Sequence, residues 1–266
     1  MKLAFSTLGC PEWSFEKVVS EAVRLGYGAV ELRGLEGCLE LGKLPVLQTE
    51  KRAETSRILT EAGISFCSLD TSCSFHDPEK LGDALCEGRE AIDIASDMGV
   101  PYIRVFGNSL PAEYSEEESL SRIADGIREL CLYAEGKNVQ VLLEVHGDLV
   151  TPERLVRVAE KVDRPEFGMI WDVEHISGCT HAQLYTAIKP WIRHVHLKDS
   201  YSEDGKRVLC LPGRGDLPLE EIVRMMLADG YDGWFSFEWE KVWHNELPEP
   251  EEAFPEYVRM MERFGF

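Results

Sequence analysis

Short runs of β-branched and aromatic residues alternate along the chain with longer stretches in which apolar residues recur every three or four positions. The first run, residues 2–7, has the composition of a strand. The stretch at residues 14–25 predicts an amphipathic helix with Ser14 as its N-cap. Its apolar positions are Phe15, Val18, Val19, Ala22 and Val23. The chain therefore opens with one predicted strand and one predicted helix.

This pair of elements recurs eight times. The predicted strands cover residues 2–7, 28–33, 63–70, 100–107, 138–146, 166–175, 191–199 and 233–240. The predicted helices cover residues 14–25, 49–62, 78–98, 115–135, 152–161, 181–188, 217–228 and 250–264. Gly63 stands at the expected left-handed end of a helix, and Ser115 and Glu118 have the spacing of a capping box. Strict alternation predicts parallel strands joined by right-handed crossovers.

Eight such units predict a closed (β/α)8 TIM barrel that occupies residues 1–266 as a single domain, since barrels of about 250 residues usually form one domain. An open doubly wound sheet is the alternative. It is disfavoured because residues 8–11 read Leu-Gly-Cys-Pro, whereas dinucleotide-binding sheets carry a GxGxxG turn after the first strand. In a barrel, functional side chains gather at the carboxyl ends of the strands.

The charge balance narrows the choice of partners. The chain carries 28 Lys and Arg against 48 Asp and Glu, a formal net charge of −20, which would repel a nucleic-acid backbone. No run approaches the roughly 20 apolar residues that span a membrane, and the first residues lack a signal-peptide pattern, so we expect a cytoplasmic protein. The eight cysteines form no CxxC pair and predict reduced, buried thiols.

Four acidic or imidazole side chains stand at or near the carboxyl ends of the last four predicted strands. They are Glu144, Asp172, His196 and Glu238. Any one of these acids alone could simply pair with an arginine, but four together at converging strand ends predict a metal site. Three carboxylates and one imidazole offer mostly hard oxygen ligands, which favours one Mn²⁺ ion and also suits Mg²⁺, Co²⁺ or Zn²⁺.

Nearby histidines leave alternatives open at this site. Because side chains alternate faces along a strand, His146 points the same way as Glu144, and His194 points the same way as His196. We favour Glu144 and His196 as the ligands. His146 would then lie beside the metal ion or contact substrate, and His194 would lie one layer deeper as a hydrogen-bonded core residue.

Three more side chains are candidates for binding substrate. His175 follows Asp172 by three residues and should lie above the metal ligands, although a loop histidine needs no function. Lys198 could orient substrate or pair with Asp199. Arg214 lies between two glycines that could form a phosphate-binding nest, although glycine-rich turns are more often only turns. The sequence thus allows a ligand with or without a phosphate group.

Seven short motifs follow one another along almost the whole chain. They are ELR at 31–33, RVFG at 104–107, LEVH at 143–146, WDVEH at 171–175, HVHLKD at 194–199, PGRGD at 212–216 and SFEWE at 236–240. In this order they resemble the xylose-isomerase-like sugar phosphate isomerases and epimerases, which share their barrel with endonuclease IV. The resemblance implies that the metal ion is bound by Glu144, Asp172, His196 and Glu238. It also implies that His175 and Arg214 contact sugar hydroxyls, with a loop at residues 200–211 lengthening the usual spacing before Arg214.

The resemblance further implies proton transfer on a carbohydrate substrate. In the family's epimerases two glutamates on opposite faces of one carbon take and return a proton, and Glu144 and Glu238 match that pair. With the metal ion polarising the carbonyl, this predicts an isomerase or epimerase that acts on a ketose, a ketose phosphate or a related polyol-ketone through an enediolate. Family members commonly form dimers or tetramers, so a homo-oligomer is allowed.

Three other functions stay open. A dehydratase of a keto-acid such as 3-dehydroshikimate, or of an inosose, would use the same metal site but expel water. An endonuclease-IV-like phosphodiesterase is disfavoured by the negative charge and by residues 106–108, Phe-Gly-Asn, because that enzyme takes extra histidines from its early strands. A non-catalytic sugar-binding protein is disfavoured because three gathered carboxylates repel one another unless a cation neutralises them.

Overall fold

Ten strands build the β-structure of the computed structural model, which describes residues 2–265. They are β1 (Lys2–Ser6), β2 (Ala29–Leu32), β3 (Ser65–Ser74), β4 (Tyr102–Phe106), β5 (Gln140–Glu144), β6 (Phe167–Asp172), β7 (Ile192–Leu197), β8 (Asp199–Glu203), β9 (Lys206–Cys210) and β10 (Trp234–Phe237). Eight of them close into a parallel barrel in the order β1-β10-β7-β6-β5-β4-β3-β2. The predicted (β/α)8 fold is confirmed. The end residues of the predicted range 1–266, Met1 and Phe266, lie outside the described residues.

One α-helix follows each barrel strand before the next barrel strand begins or the chain ends. The helices are α1 (Phe15–Leu25), α2 (Arg52–Ala62), α3 (Leu81–Met98), α4 (Glu116–Ala134), α5 (Pro152–Val162), α6 (His181–Ile188), α7 (Leu219–Ala228) and α8 (Pro250–Arg263). Three of the predicted helices start two or three residues too early, because residues 49–51 form a turn, Pro78–Lys80 forms a 3-10 helix and α7 begins at Leu219.

The predicted helix ends are confirmed where the sequence carried capping residues. The side chain of Ser14 accepts a hydrogen bond from the Lys17 backbone N–H at 3.3 Å. The Ser115 hydroxyl accepts from the Glu118 N–H at 3.2 Å, and the Glu118 carboxylate accepts from the Ser115 N–H at 2.8 Å. Gly63 ends α2 with a φ of 70°, a conformation that other residues adopt at a cost.

An aromatic layer closes the barrel where its first and last strands meet. The rings of Phe237 on β10 and Tyr257 on α8 stack with centroids 4.8 Å apart. Phe5 on β1 contacts Phe254 on α8 with centroids 4.5 Å apart. All four side chains are fully buried. This packing anchors β10 against α8, and Glu238 follows directly from the end of that strand.

The prediction of a loop at residues 200–211 is wrong, because most of this segment is an antiparallel hairpin. Strands β8 and β9 pair from Asp199 opposite Cys210 to Glu203 opposite Lys206. Asp204 and Gly205 form the turn with positive φ values of 49° and 76°. Asp-Gly is the residue pair that tight two-residue hairpin turns prefer, so the sequence contained the signal for the hairpin.

Two composition-based expectations can be compared with the structure. Among residues 2–265, no helix has both the length and the apolar character needed to cross a membrane. All eight cysteines are free thiols, as predicted. Their predicted burial holds only in part, because Cys86 is exposed. The buried cysteines are Cys10, Cys67, Cys73 and Cys131.

Candidate active site

Four side chains meet at the carboxyl ends of neighbouring barrel strands. Glu144 ends β5, Asp172 ends β6, His196 lies near the end of β7, and Glu238 follows β10. Each offers a ligand atom within 4.8 Å of the others, and all four residues are at most 3% exposed. We call these four residues the carboxylate cluster. The structure therefore brings together the four side chains that the sequence predicted as metal ligands.

The orientation of His196 suits metal binding. Its Nε2 lies 2.7 Å from Oε1 of Glu31, so this nitrogen is already engaged. Its Nδ1 lies 3.3 Å from Oε2 of Glu238 and 3.9 Å from Oε1 of Glu144. This buried Nδ1 has no hydrogen-bond partner among residues 2–265. A buried ring nitrogen that faces two carboxylates without a hydrogen bond fits a divalent cation between them.

Glu31 supports the cluster from inside the barrel. It lies on β2, which is not a neighbour of β7 in the sheet, so its contacts with β7 cross the interior. Its Oε2 lies 3.0 Å from Nε2 of His194 and accepts a hydrogen bond from Ser236 Oγ at 2.5 Å. Burial acts to raise the pKa of Glu31, but His196 and His194 hold it well below the usual range. His194 is thus the predicted deeper, hydrogen-bonded core residue.

Two side-chain cations also reach the cluster. The Arg104 guanidinium donates to Oε2 of Glu144 at 2.9 Å and lies 3.7 Å from Oε1 of Glu238. The Lys198 ammonium lies 2.6 Å from Oε2 of Glu238, 2.8 Å from Oδ2 of Asp172 and 2.5 Å from Oε1 of Glu240. Lys198 was predicted at the site, whereas Arg104 and Glu240 were not assigned a role. The cations offset part of the repulsion among the carboxylates.

The two glutamates of the cluster differ in their protonation. Burial raises the pKa of Glu144 to about 7, although Arg104 opposes the shift. Burial also acts on Glu238, but His196 and Lys198 outweigh it and hold the pKa of Glu238 well below its usual range. The pKa of Lys198 is raised because its carboxylate neighbours overcome burial. At neutral pH the pair Glu238 and Lys198 is therefore fully ionised.

A cavity of about 290 Å³ opens directly onto the cluster. His146 and His175 lie in its wall with ring centroids 4.5 Å apart, and Nε2 of His175 is 3.6 Å from Oδ2 of Asp172. Burial, and then His175, lower the pKa of His146 to about 4, so its imidazole is neutral. The cavity is lined by Leu8, Arg33, Ser72, Arg104, Phe106, Asn108, Glu144, His146, His175, Lys198, Glu238, Glu240 and Trp243. Three of the predicted substrate-binding side chains, His146, His175 and Lys198, thus share one cavity with the cluster.

Arg214 does not line this cavity. It is exposed, in the segment that follows the hairpin. The glycine amides beside it are already bonded, because Oδ2 of Asp199 accepts from the N–H of Gly213 at 2.8 Å and of Gly215 at 2.9 Å. The internal carboxylate takes the place that a phosphate would need. A larger cavity of about 820 Å³ lies next to this turn, beside α7 and α8, and none of the cluster residues lines it.

Comparison with known proteins agrees with this geometry. A family model described as xylose isomerase-like TIM barrel matches residues 19–264. The chain is 27% identical over 263 residues to an inosose dehydratase of Geobacillus thermodenitrificans (strain NG80-2), covering 86% of this chain and 83% of that protein. It is 24% identical over 165 residues to a fructoselysine 3-epimerase of Shigella flexneri, covering 59% and 58%. Among solved structures, the probable 3-DHS dehydratase AsbF from Bacillus anthracis superposes with a TM-score of 0.81 at 20% identity, covering 98% of this chain and 99% of that one.

Proposed function

Because the chain belongs to the xylose isomerase-like TIM barrel family, we propose that it is a metal-dependent dehydratase of a polyhydroxylated ketone. The reaction removes a proton from the carbon next to the carbonyl and expels a hydroxyl group from the following carbon as water. One observation carries the proposal. The Lys198 ammonium lies 2.6 Å from the Glu238 carboxylate inside the carboxylate cluster, so a metal site, a base and an acid share one cavity.

The carboxylate cluster is the proposed metal site. Glu144, Asp172 and Glu238 would each supply a carboxylate oxygen, and His196 would supply Nδ1. This donor set favours Mn²⁺ and also suits Mg²⁺, Co²⁺ or Zn²⁺. A divalent cation held there would polarise the substrate carbonyl and offset the negative charge that develops on its oxygen. Glu31 fixes the ring of His196 through the other nitrogen, which keeps Nδ1 aimed at the site.

Glu238 is the proposed base and Lys198 the proposed acid. Glu238 is held ionised by His196 and Lys198 and can accept the proton from carbon. The Lys198 ammonium can give a proton to the leaving hydroxyl group, which departs as water when the carbon–oxygen bond breaks. Glu238 then returns its proton to Lys198 across their hydrogen bond, and both groups regain their starting states. The proton and oxygen balance is that of a simple dehydration.

The remaining cavity residues would orient the substrate. The imidazole of His146, held neutral by burial, lines the cavity and can bond a substrate hydroxyl. His175 lies against His146 and can bind a neighbouring hydroxyl. Oε1 of Glu240 accepts a hydrogen bond from the Lys198 ammonium and keeps that group in place. Arg214 has no part in this proposal, because it lies outside the cavity.

The isomerase or epimerase favoured by the sequence is the second candidate. Glu144 and Glu238 reach the cluster from β5 and β10, which are three positions apart around the barrel. They could therefore approach one carbon from two sides, as two-base epimerisation requires. The similarity to a fructoselysine 3-epimerase supports this candidate over 59% of the chain. The dehydratase is preferred because similarity to an inosose dehydratase extends over 86% of the chain.

The product mass distinguishes the two candidates. The Mn²⁺-loaded protein is incubated in deuterated water with scyllo-inosose, with 3-dehydroshikimate and with a panel of ketoses, and the products are measured by NMR and mass spectrometry. We expect a product that has lost one water from the inosose or the keto-acid. A ketose product that has lost no water and carries one deuterium on carbon would favour the epimerase instead.

Two variants test the assignment of residues. Lys198→Gln should still exchange the substrate proton with solvent but should lose dehydration, because it lacks the acid. Arg214→Gln is the matched control, because Arg214 lies outside the cavity. This variant should convert the substrate at the rate of the unaltered protein. A protein that converts none of these ketones and exchanges none of their protons contradicts the proposed function.

A further inference from the structure

Arg33 is a buried cation in the wall of the cavity. It follows the end of β2 directly and is only 6% exposed. Its guanidinium donates to the carbonyl oxygen of Leu39 and to Oγ of Ser72, both at 2.8 Å. Neither partner carries a charge. Among residues 2–265, no carboxylate lies within ion-pair distance of Arg33.

Arg104 and Arg33 differ in their ion pairs with carboxylates. Both guanidinium groups line the same cavity. Arg104 contacts the carboxylates of Glu144, Glu238 and Asp70 at distances of 2.9 to 3.9 Å. Burial lowers the pKa of Arg33 and Arg104 lowers it further, whereas the more distant carboxylates of Asp70, Glu87 and Glu238 act in the opposite direction. An arginine nevertheless stays charged in proteins, so Arg33 places an unpaired positive charge in a site where desolvation is costly.

Ser72 adds a free donor next to this charge. Its Oγ accepts the bond from Arg33, and no contact among residues 2–265 uses the hydroxyl hydrogen. A guanidinium carries five N–H donors, and only two of those on Arg33 have acceptors among residues 2–265. Together the two side chains offer several donors and one positive charge to the cavity. That combination matches a carboxylate or a phosphate group.

The position of Arg33 and Ser72 relative to the carboxylate cluster also suits substrate binding. The cluster lies on β5, β6, β7 and β10, whereas Arg33 and Ser72 lie on the β2 and β3 side of the barrel. A ligand that reaches both sides must extend across the mouth. The cavity of about 290 Å³ is the size of a single small ring or short chain with its substituents.

We propose that Arg33 and Ser72 bind an anionic group of the substrate, a carboxylate or a phosphate, on the side of the cavity opposite the carboxylate cluster. The substrate is then an anionic polyhydroxylated ketone, and a neutral cyclic ketone is disfavoured. This inference rests on the proposed function only in taking this cavity as the substrate site. It makes Arg33 a residue that determines specificity.

The test uses ligands that carry no ketone, so binding is measured without turnover. Shikimate is compared with its uncharged methyl ester, and glucitol 6-phosphate is compared with glucitol. Calorimetric titration of the Mn²⁺-loaded full chain gives the affinity for each. We expect the anionic member of at least one pair to bind about tenfold or more tightly than its neutral partner, because bonds to charged groups are the strong ones. The pair that shows the preference identifies carboxylate or phosphate.

The variants assign the preference to Arg33. Arg33→Gln should abolish it without changing the affinity for the neutral partner, and Ser72→Ala should reduce it severalfold. Arg128→Gln is the matched control, because Arg128 also donates to a backbone carbonyl, that of Val162, but on the outer helices. It should leave the preference unchanged. If Arg33→Gln does not fold, the same titrations are made with Arg33→Lys. The anion preference should fall in that variant, because a lysine cannot bind the anion in a bidentate manner.

Three outcomes overturn the inference. These are the absence of an anion preference in both pairs, a preference that survives Arg33→Gln in the folded variant, and an equal loss of affinity for neutral and anionic ligands. The last outcome would mean that Arg33 only maintains the wall of the cavity. A confirmed preference in a protein that dehydrates no ketone would leave the anion site standing while the proposed function fails.

Discussion

The mouth of the barrel divides into two halves that differ in charge and in packing. On the half formed by β5, β6, β7 and β10, the carboxylate cluster gathers three acids and one imidazole. On the half formed by β2, β3 and β4, Arg33 and Arg104 supply two buried guanidinium groups. The first half offers carboxylate oxygens and an imidazole nitrogen, whereas the second offers guanidinium N–H donors. In the binding mode that we propose, one substrate contacts both halves.

The two halves are not independent, because the half formed by β2, β3 and β4 contributes two residues that contact the carboxylate cluster. Glu31 extends from β2 to the imidazoles of β7, and Arg104 extends from β4 to Glu144. These contacts offset the charge of the cluster and orient its histidine. Changes in the carboxylate cluster or at Glu31 should therefore alter metal affinity and chemistry, whereas changes at Arg33 should alter the preference for the charge of the ligand.

The largest effect is expected from Glu238→Gln on the metal-binding half. The change removes the proposed base and one carboxylate oxygen, while the amide keeps the size of the side chain. Turnover of the identified substrate should fall by about 10²-fold to 10⁴-fold, the usual contribution of a general base. Measurement of the initial rate by NMR in deuterated water checks this. Full activity in the variant would exclude Glu238 as the base.

A smaller effect is expected at Glu31, the residue of β2 whose carboxylate contacts His196 on β7. Glu31→Gln removes the charge that orients His196, and the affinity for Mn²⁺ should fall about 10-fold to 100-fold, as is typical for partners of metal ligands. Competition with a chelator gives the affinity. Glu129→Gln, on the outside of α4, is the control and should leave the affinity unchanged. An unaltered Mn²⁺ affinity in Glu31→Gln would separate the two halves that we describe as coupled.

The pH dependence of stability tests whether His146, next to the carboxylate cluster, carries a positive charge. Burial, and then His175, lower the pKa of His146 to about 4, below its usual value of 6.5. Between these values the unfolded chain binds more protons than the folded chain, so the stability of the metal-free protein should fall as the pH falls from about 6.5 to about 4. The expected loss attributable to His146 is about 1 to 2 kcal/mol after allowance for solvent screening.

Chemical denaturation across this pH range, compared with His146→Gln, measures the effect. The variant should lose less stability than the unaltered protein as the pH falls. Identical pH profiles for both proteins would show that His146 is not held neutral, and the cluster half would then carry an extra positive charge at acidic pH.

The regular parts of the fold could be predicted from sequence because their signals are local. Helix α6 was predicted at its observed bounds, and the caps at Ser14 and Ser115 are where the sequence placed them. The hairpin of β8 and β9 was missed although Asp204 and Gly205 carried its turn signal. An insertion between a barrel strand and its helix breaks the alternation, so the rhythm of the other units does not predict it.

The two halves of the mouth differed in how well sequence could predict them. The cluster was predicted because acids and histidines at strand ends are recognisable one strand at a time. Glu31 and Arg33 stood in a motif without an assigned role, and the partners of Glu31 lie far away in sequence. Glu31 and His196 are separated by 165 positions and meet only across the closed barrel. Arg214 was assigned to the substrate because sequence does not reveal that Asp199 already occupies the neighbouring glycine amides.

The smallest effect is expected away from both halves. Ser115→Ala removes the N-cap of α4 and should lower the free energy of unfolding by about 1 kcal/mol. The affinity for Mn²⁺ and for anionic ligands should stay the same, because the capping box faces solvent at the start of an outer helix. Calorimetric melting and the two binding titrations check this. A change in either affinity would mean that the mouth responds to loss of stability in general.

The most direct test of the account is the number of Mn²⁺ ions that the purified chain binds. Titration followed by electron paramagnetic resonance should give one tightly bound Mn²⁺ per chain, and Asp172→Asn combined with His196→Ala should abolish that binding while the thermal unfolding remains cooperative. A chain that binds no stoichiometric Mn²⁺, Mg²⁺, Co²⁺ or Zn²⁺, or a double variant that binds Mn²⁺ as tightly as the unaltered protein, would contradict the assignment of the carboxylate cluster as a metal site.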